Sequence, residues 1–144
     1  MSRVLSKTPA AHKDAVWTLS FVGGADDALL ATGSVDGTVK SWAVAAAEGG
    51  GNAALKPVKT VDAFPLGVVS LTPVSSSGVA ASSMDGTIRF VNVRDGAVTR
   101  VLRVGPVDCW RLAGGENEIV SGTHTGAINV WSAESGALTR TIET

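Results

Sequence analysis

The chain has 144 residues and a formal net charge of -1, from 12 basic and 13 acidic side chains spread without runs of one sign. Its 44% hydrophobic and 17% charged composition suits a domain with a packed core, and it lacks the basic stripe of a nucleic-acid binder or membrane-surface protein. Cys109 is the single cysteine, so no internal disulfide can form. No apolar run approaches the roughly 18–20 residues of a spanning helix, and the first residues, MSRVLSKTPAAHKD, lack the apolar stretch of a secretion signal.

Taken in order, Arg3 to Lys7 is a short strand candidate ended by Pro9, which has no ladder donor. Ala15 to Phe21 alternates with a period of two and reads as a strand. Ala28 to Ser34 and Thr38 to Val44 read as two more strands joined at Asp36-Gly37, a hairpin signal because glycine takes positive φ at little cost. Residues 45–56 form a glycine- and alanine-rich insertion, expected to be an irregular connection. Its three glycines lack the lysine and hydroxyl of a phosphate-cradling loop. Val58 to Val61 is the next strand.

Gly67 to Thr72 repeats the alternation, and Val79 to Ser83, the Asp85-Gly86 turn, Thr87 to Val93 and Val98 to Arg103 follow. Val107 to Ala113 is a third alternating strand. Glu118 to Gly122, the Thr125-Gly126 turn, Ala127 to Trp131 and Ala137 to Ile142 complete the chain. No helical period appears at useful length, and the expected class is all-β.

The stretch ATGSVDGTVKSW (31–42) returns as ASSMDGTIRFV (81–91) and SGTHTGAINVW (121–131). Trp42, Val91 and Trp131 are therefore equivalent, 49 and 40 residues apart, with the insertion lengthening the first interval. Trp17, Val69 and Trp110 align independently in the same register. Valine at both registers points to core packing and against base stacking, so direct nucleic-acid binding is not expected.

A four-stranded unit of about 40 residues has the period of a WD-type propeller blade. The first unit resembles that family in His12, Asp36 and Trp42, with Ser34 or Thr32 as the second-strand hydroxyl. The resemblance implies a buried hydrogen-bonded chain from histidine through hydroxyl and carboxylate to indole. The later units depart from it. Asp85 is kept in the second, where Phe64 and Val91 stand for histidine and tryptophan. Trp131 is kept in the third, where Gly105 and Thr125 stand for histidine and aspartate. These blades are expected to lean more on apolar packing. The expected fold is a partial WD40-type β-propeller. It has three four-stranded antiparallel blades at about 15–61, 67–103 and 107–142, plus the N-terminal strand. Sheets of this size bury their faces only by stacking on one another.

A narrower resemblance rests on AHKDAVWTLSF, the 31–42 hairpin, LGVVSLTPVSSSGVAASSMDGTIRFVNVRDG and VGPVDCWRLA followed by EIVSGTHTGAINVWSAESG. Together these are similar to the N-terminal half of the small WD-repeat subunits of the superkiller complex. In animals and plants such subunits also serve the RNA polymerase II-associated factor complex. The resemblance implies a seven-bladed, non-catalytic scaffold. Its partners would be a helicase and a tetratricopeptide-repeat subunit, its process exosome-dependent 3′ to 5′ mRNA decay or transcription elongation, and its location nucleus and cytoplasm. Three blades fall short of seven. The expectation is therefore a fragment or truncated form, with a natural short form and a self-associating half-propeller as the alternatives, and as a monomer it would expose apolar faces at both ends of the arc.

A His12–Asp36–Ser34 triad is superficially available, but the hydroxyl lies two residues from the carboxylate inside one hairpin and no oxyanion donor set is visible. Two histidines and one cysteine, far apart, do not make a metal site, and no cofactor is expected. Family geometry places the turn positions Val35, Met84 and His124 on the top face, where partners touch. Arg111 stands where the other inner strands carry Thr18 and Ser70, and is a candidate contact for an acidic partner group. Cys109 is expected to be buried. Two other readings remain open at this stage: a different WD adaptor, such as a ubiquitin-ligase substrate receptor, and a ligand-binding or enzymatic propeller.

Overall fold

A computed structural model describes residues 8, 10–45, 54–105, 109–115 and 117–143. The lone strand expected at Arg3 to Lys7 lies outside these residues. The chain order is β1 (Val16–Val22), β2 (Leu29–Ser34), β3 (Thr38–Ala45), β4 (Ala54–Asp62), β5 (Val68–Pro73), β6 (Gly78–Ser83), β7 (Thr87–Asn92), β8 (Val98–Arg103), β9 (Arg111–Gly114), β10 (Glu118–Gly122), β11 (Ile128–Ser132) and β12 (Leu138–Ile142). They form three four-stranded sheets in the orders β1-β2-β3-β4, β5-β6-β7-β8 and β9-β10-β11-β12, with every pairing antiparallel. Each sheet is one blade, as the repeat predicted.

The middle hairpins share one design. Gly37, Gly86 and Gly126 have φ of 78°, 80° and 90°, the left-handed conformation that the tight turn demands and glycine meets without strain. Each third strand shifts register against its fourth at the same place, between Ser41 and Trp42, Phe90 and Val91, and Val130 and Trp131. Pro57 is accommodated because β4 is an outer edge strand and Pro57 faces Trp42 at that bulge.

Alternation along each strand sends neighbouring side chains to opposite faces of the blade. Leu29, Ala31, Val39 and Val61 of the first blade pack with Leu71, Val79, Ala81 and Val91 of the second. The second blade's other face offers Ala80, Ile88 and Phe90 to Leu112, Ile119 and Trp131 of the third. The core is thus two layers between three sheets. Each blade has a forward face toward its successor and a rear face toward its predecessor. Leu19 shows the open end of this arrangement. Its equivalents Leu71 and Leu112 are buried between blades, whereas Leu19, on the rear face of the first blade, is 63% exposed. Phe21 beside it is 62% exposed.

Three expectations need correction. The β3–β4 ladder runs on to Ala45 opposite Ala54, so residues 45 and 54–56 of the stretch read as an irregular insertion continue the strands, and residues 46–53 lie outside the described residues. The third inner strand is shorter than read, since β9 begins at Arg111. Trp17 and Trp110 do not pack in the core; they are 47% and 49% exposed, and only Val69 of that register is buried. The cause is local. Trp17 and Val69 fall at bulges, between Val16 and Thr18 and between Val68 and Ser70, and Trp110 precedes its strand. A bulge residue leaves the ladder and its side chain leaves the pleat direction. Cys109 is buried as expected, its thiol 3.8 Å from the Ser83 carbonyl oxygen.

Candidate interaction surface and its buried supports

The first blade holds its hairpin with a continuous polar chain. The Trp42 indole N–H donates to Thr32 Oγ1 at 2.9 Å. Thr32 Oγ1 lies 2.7 Å from His12 Nε2, and His12 Nδ1 lies 3.1 Å from Asp36 Oδ2. An indole can only donate and a carboxylate can only accept. The protons therefore run one way: indole to hydroxyl, hydroxyl to Nε2, and Nδ1–H to Asp36. Asp36 also accepts the Thr38 hydroxyl at 2.6 Å, the Thr38 N–H at 3.0 Å and the Lys13 N–H at 2.9 Å. Lys40 spans the same site, its Nζ donating to the Ala11 carbonyl at 2.6 Å.

Thr32, rather than Ser34, is the hydroxyl that joins His12 to Trp42. Ser34 serves the turn itself: it accepts the Asp36 N–H at 3.1 Å and donates to the Asp14 carbonyl at 3.2 Å. With both His12 nitrogens and the Ser34 hydroxyl so engaged, the superficial triad has no free base.

Burial pushes the His12 pKa down, and this outweighs the neighbouring Asp36 carboxylate, which raises it. The ring is neutral near pH 7, as the proton order requires. Burial pushes Asp36 up, but the Thr38, Lys13 and His12 donors outweigh it and hold the carboxyl well below its usual range. Asp36 is a charged anchor for a turn.

The second blade rebuilds the support with other residues. Asp85 again accepts a threonine, with the Thr87 hydroxyl at 2.6 Å and its N–H at 3.0 Å. Arg89 stands where Lys40 does and donates to the Ala63 carbonyl, the counterpart of Ala11. Its other nitrogen pairs with Asp85 at 2.9 Å, and its guanidinium stacks over Phe64 at 4.9 Å. Phe64 occupies the histidine place. Expected to lean more on apolar packing, this blade nevertheless keeps a polar support: around the retained carboxylate, a cation and an aromatic ring stand in for imidazole, hydroxyl and indole. The third blade keeps one link, Trp131 Nε1–H to Ser121 Oγ at 3.0 Å. Its turn is held by Thr123 and Thr125, whose hydroxyls are 2.8 Å apart.

The joints between blades also repeat. The Leu71 N–H donates to Thr18 Oγ1 at 3.0 Å, and the Leu112 N–H donates to Ser70 Oγ at 3.0 Å. Further out, Ser41 donates to the Val93 carbonyl at 2.5 Å in the first joint, and Arg100 donates to the Ala133 carbonyl at 3.0 Å in the second. Arg100 can do so because Phe90 replaces serine and carries the guanidinium on its ring at 5.3 Å.

The expected contact residues separate into two places. Val35 and Met84 both border Gly67, and their N–H groups donate to Ala15 and Gly67 carbonyls at 3.0 Å each. Met84 is exposed and shares a small crevice with Val69, Ser83, Cys109 and Trp110. Leu66, half exposed, is next to Gly67 in the chain. Met84 and Trp110 thus border one crevice on the turns and loops at one end of the blades, and Leu66 is exposed one residue from Gly67. The sequence reading found Met84 and missed the other two. The alternation that marked Trp110 as core carries no sign of where a strand begins. His124 lies exposed on the third blade's equivalent turn. Arg111 belongs elsewhere, on the forward face of the third blade with Ala113, Val120, Gly122 and Ile128. Among the described residues, no group of three His, Cys, Asp or Glu side chains is placed to hold a metal.

Comparison with known proteins agrees with this architecture. Residues 3–43 match the family model "WD domain, G-beta repeat". The chain is 33% identical over 138 residues to WD repeat-containing protein VIP3 of Arabidopsis thaliana, covering 92% of this chain and 40% of that protein. It is 29% identical over 107 residues to Superkiller complex protein 8 of Dictyostelium discoideum, covering 74% of this chain and 33% of that protein. It therefore spans well under half the length of these relatives. Among solved structures, the WD40 β-propeller domain of Doa1 superposes with a TM-score of 0.71 at 27% identity, over 93% of this chain and 42% of that one. The computationally designed Ika4 protein superposes at 0.74 and 23% identity, over 99% of this chain and 81% of that one, a likeness of fold alone. Three blades on one hairpin design, a first repeat with its buried indole-to-carboxylate chain that matches the WD-repeat family model, and WD-repeat relatives over most of the chain give it WD-type repeats in a β-propeller fold.

Proposed function

We propose that the chain is a non-catalytic protein-interaction scaffold that works inside a multisubunit complex. The observation that carries this reading is the division of its polar and apolar groups. The residues able to do acid–base chemistry, His12 and Asp36, are consumed in holding a turn. Large apolar groups are left exposed, with Met84 and Trp110 on one crevice at an end of the blades and Leu66 one residue from Gly67. Exposed aromatic and methionine side chains in a cluster are the composition of a protein contact.

Similarity to Superkiller complex protein 8 favours a superkiller-type assembly, and the sequence resemblance adds a tetratricopeptide-repeat subunit and a helicase as its partners. Messenger RNA decay in the cytoplasm is the corresponding process. A polymerase-associated elongation complex in the nucleus is the second setting that the sequence resemblance supports.

The test is reconstitution. The tagged chain is mixed with purified tetratricopeptide-repeat and helicase subunits of a superkiller complex, one at a time. The reading expects retention of at least one subunit, weakened roughly 30-fold or more by Trp110→Glu if Trp110 anchors the contact. Retention of neither subunit, or equal retention by Trp110→Glu, would reject the assignment.

A further inference from the structure

The geometry points to a second contact site: a recess in the joint between the second and third blades that receives an arginine side chain of a partner protein. The recess lies inside the arc and at the other end of the blades from Met84 and Trp110. β6 runs from Gly78 to Ser83, so the turn of residues 74–77 and the turn that begins at Met84 sit at its opposite ends.

The two internal joints share a frame at this end. In the first, the β7–β8 turn of the second blade is tied to the β1–β2 turn of the first. Arg94 Nη2 donates to the Asp27 carboxylate at 2.5 Å and to the Asp27 carbonyl at 3.1 Å. The stem of Lys59 lies against Gly96 of the same turn. In the second joint, the stem of Arg100 lies against Gly136 of the β11–β12 turn in the same way. The two turns are built alike, with the Gly96 N–H on the Asn92 carbonyl at 2.9 Å and the Gly136 N–H on the Ser132 carbonyl at 2.8 Å.

The charges differ. Glu134 holds the place of Arg94, two residues before the turn glycine, and the β5–β6 turn carries Ser75, Ser76 and Ser77 with no carboxylate. The tie is missing, and the joint holds a recess of about 350 Å³ whose lining includes Val74, Ser75, Ser77, Arg100 and Glu134. That volume lies at the small end of ligand sites. Among the described residues Glu134 belongs to no ion pair.

A partner's guanidinium supplies the missing cation. The Glu134 carboxylate takes two of its N–H groups, and the Ser75 and Ser77 hydroxyl oxygens can accept others. Val74 offers an apolar wall to its stem. Arg100 does not bar it, because its guanidinium is held on the Ala133 carbonyl and the Phe90 ring. The first joint already holds two cations, Lys59 and Arg94, in the places of Arg100 and the incoming group. An acidic ligand would meet Glu134 in the same recess.

The site rests on the scaffold reading only in taking a protein as the source of the arginine. The test titrates the isotope-labelled 144-residue chain with a blocked glycine–arginine–glycine tripeptide, followed by NMR. Blocked tripeptides with citrulline, a neutral near-isostere, and with glutamate are the controls. The arginine peptide is expected to shift the amide signals of Ser75, Ser77, Gly78 and Glu134 saturably. Citrulline should bind at least about fivefold more weakly, and Glu134→Gln should weaken the arginine peptide by a similar factor. Glu134→Arg, which puts the chain's own cation in the recess, should abolish binding. Glu134 is exposed, and circular dichroism checks that both variants are folded. The proposal is overturned if the arginine peptide shifts none of these signals, if citrulline or glutamate binds as tightly, or if Glu134→Gln binds as the native chain does. Because the recess is far along the blades from Trp110, such a result leaves the subunit-retention test of the scaffold reading unaffected.

Discussion

Thr32→Val keeps the shape of a buried side chain and removes one oxygen, and its cost can be worked out group by group. Thr32 is 8% exposed. Its hydroxyl is the acceptor for the Trp42 indole N–H at 2.9 Å and the partner of His12 Nε2 at 2.7 Å. Valine leaves both without this partner in a buried site. Each buried orphan costs about 1–3 kcal/mol, so the substitution is expected to cost about 2–6 kcal/mol. The fair comparison is Ser121→Ala in the third blade, where the hydroxyl serves the Trp131 indole alone. It should cost about 1–3 kcal/mol. Urea midpoints measured for both, at an unchanged m-value, give the difference directly. Adding Trp42→Phe to Thr32→Val removes one orphan and should recover part of the loss. A Thr32→Val cost below about 0.5 kcal/mol would mean that the indole and imidazole are not paired through this oxygen.

Other substitutions probe the neighbouring supports. Gly37→Ala places a Cβ against the Phe64 carbonyl oxygen at a φ of 78°, and should lower stability by at least about 2 kcal/mol in thermal unfolding. Arg89→Met removes the Asp85 pair, the Ala63 contact and the stacking on Phe64, and should cost about 2–3 kcal/mol, much of it from the stranded Asp85 carboxylate. Acid should destabilise in two stages. His12 is harder to protonate folded than unfolded, so its contribution is complete above about pH 6.5 and falls as pH drops below that value, by up to about 1.4 kcal/mol per unit. Asp36, whose folded pKa is depressed, adds a second loss once pH falls below about 4. In His12→Gln the first stage should disappear from a pH series of unfolding midpoints while the second remains.

The three-blade plan was legible because its signals are local. Alternation fixed the strands, and Asp36-Gly37, Asp85-Gly86 and Thr125-Gly126 fixed the turns. Trp42 and Trp131 fixed the register between repeats. Choosing between Thr32 and Ser34 was not local. Both sit on β2 two residues apart, and only the bonds that each forms in the fold put Thr32 between indole and imidazole. Arg89 escaped notice for a related reason. Loss of histidine and tryptophan from the second repeat reads as loss of the network, yet Phe64, Asp85 and Arg89 come together only when the loop before β5 folds over β7. Trp17 and Trp110 were misread because a bulge and a strand start leave no mark in an alternating pattern.

The tryptophans divide into two supports and two surface groups. The chain has four tryptophans, so indole N–H hydrogen exchange followed by NMR reads that division residue by residue. Trp42 and Trp131, bonded to Thr32 and Ser121 in the blades, should exchange slowly. Trp17 and Trp110, about half exposed, should exchange fast, and Trp110 should become slow when a partner subunit binds. A fast Trp42, or four indoles exchanging at one rate, would contradict the account.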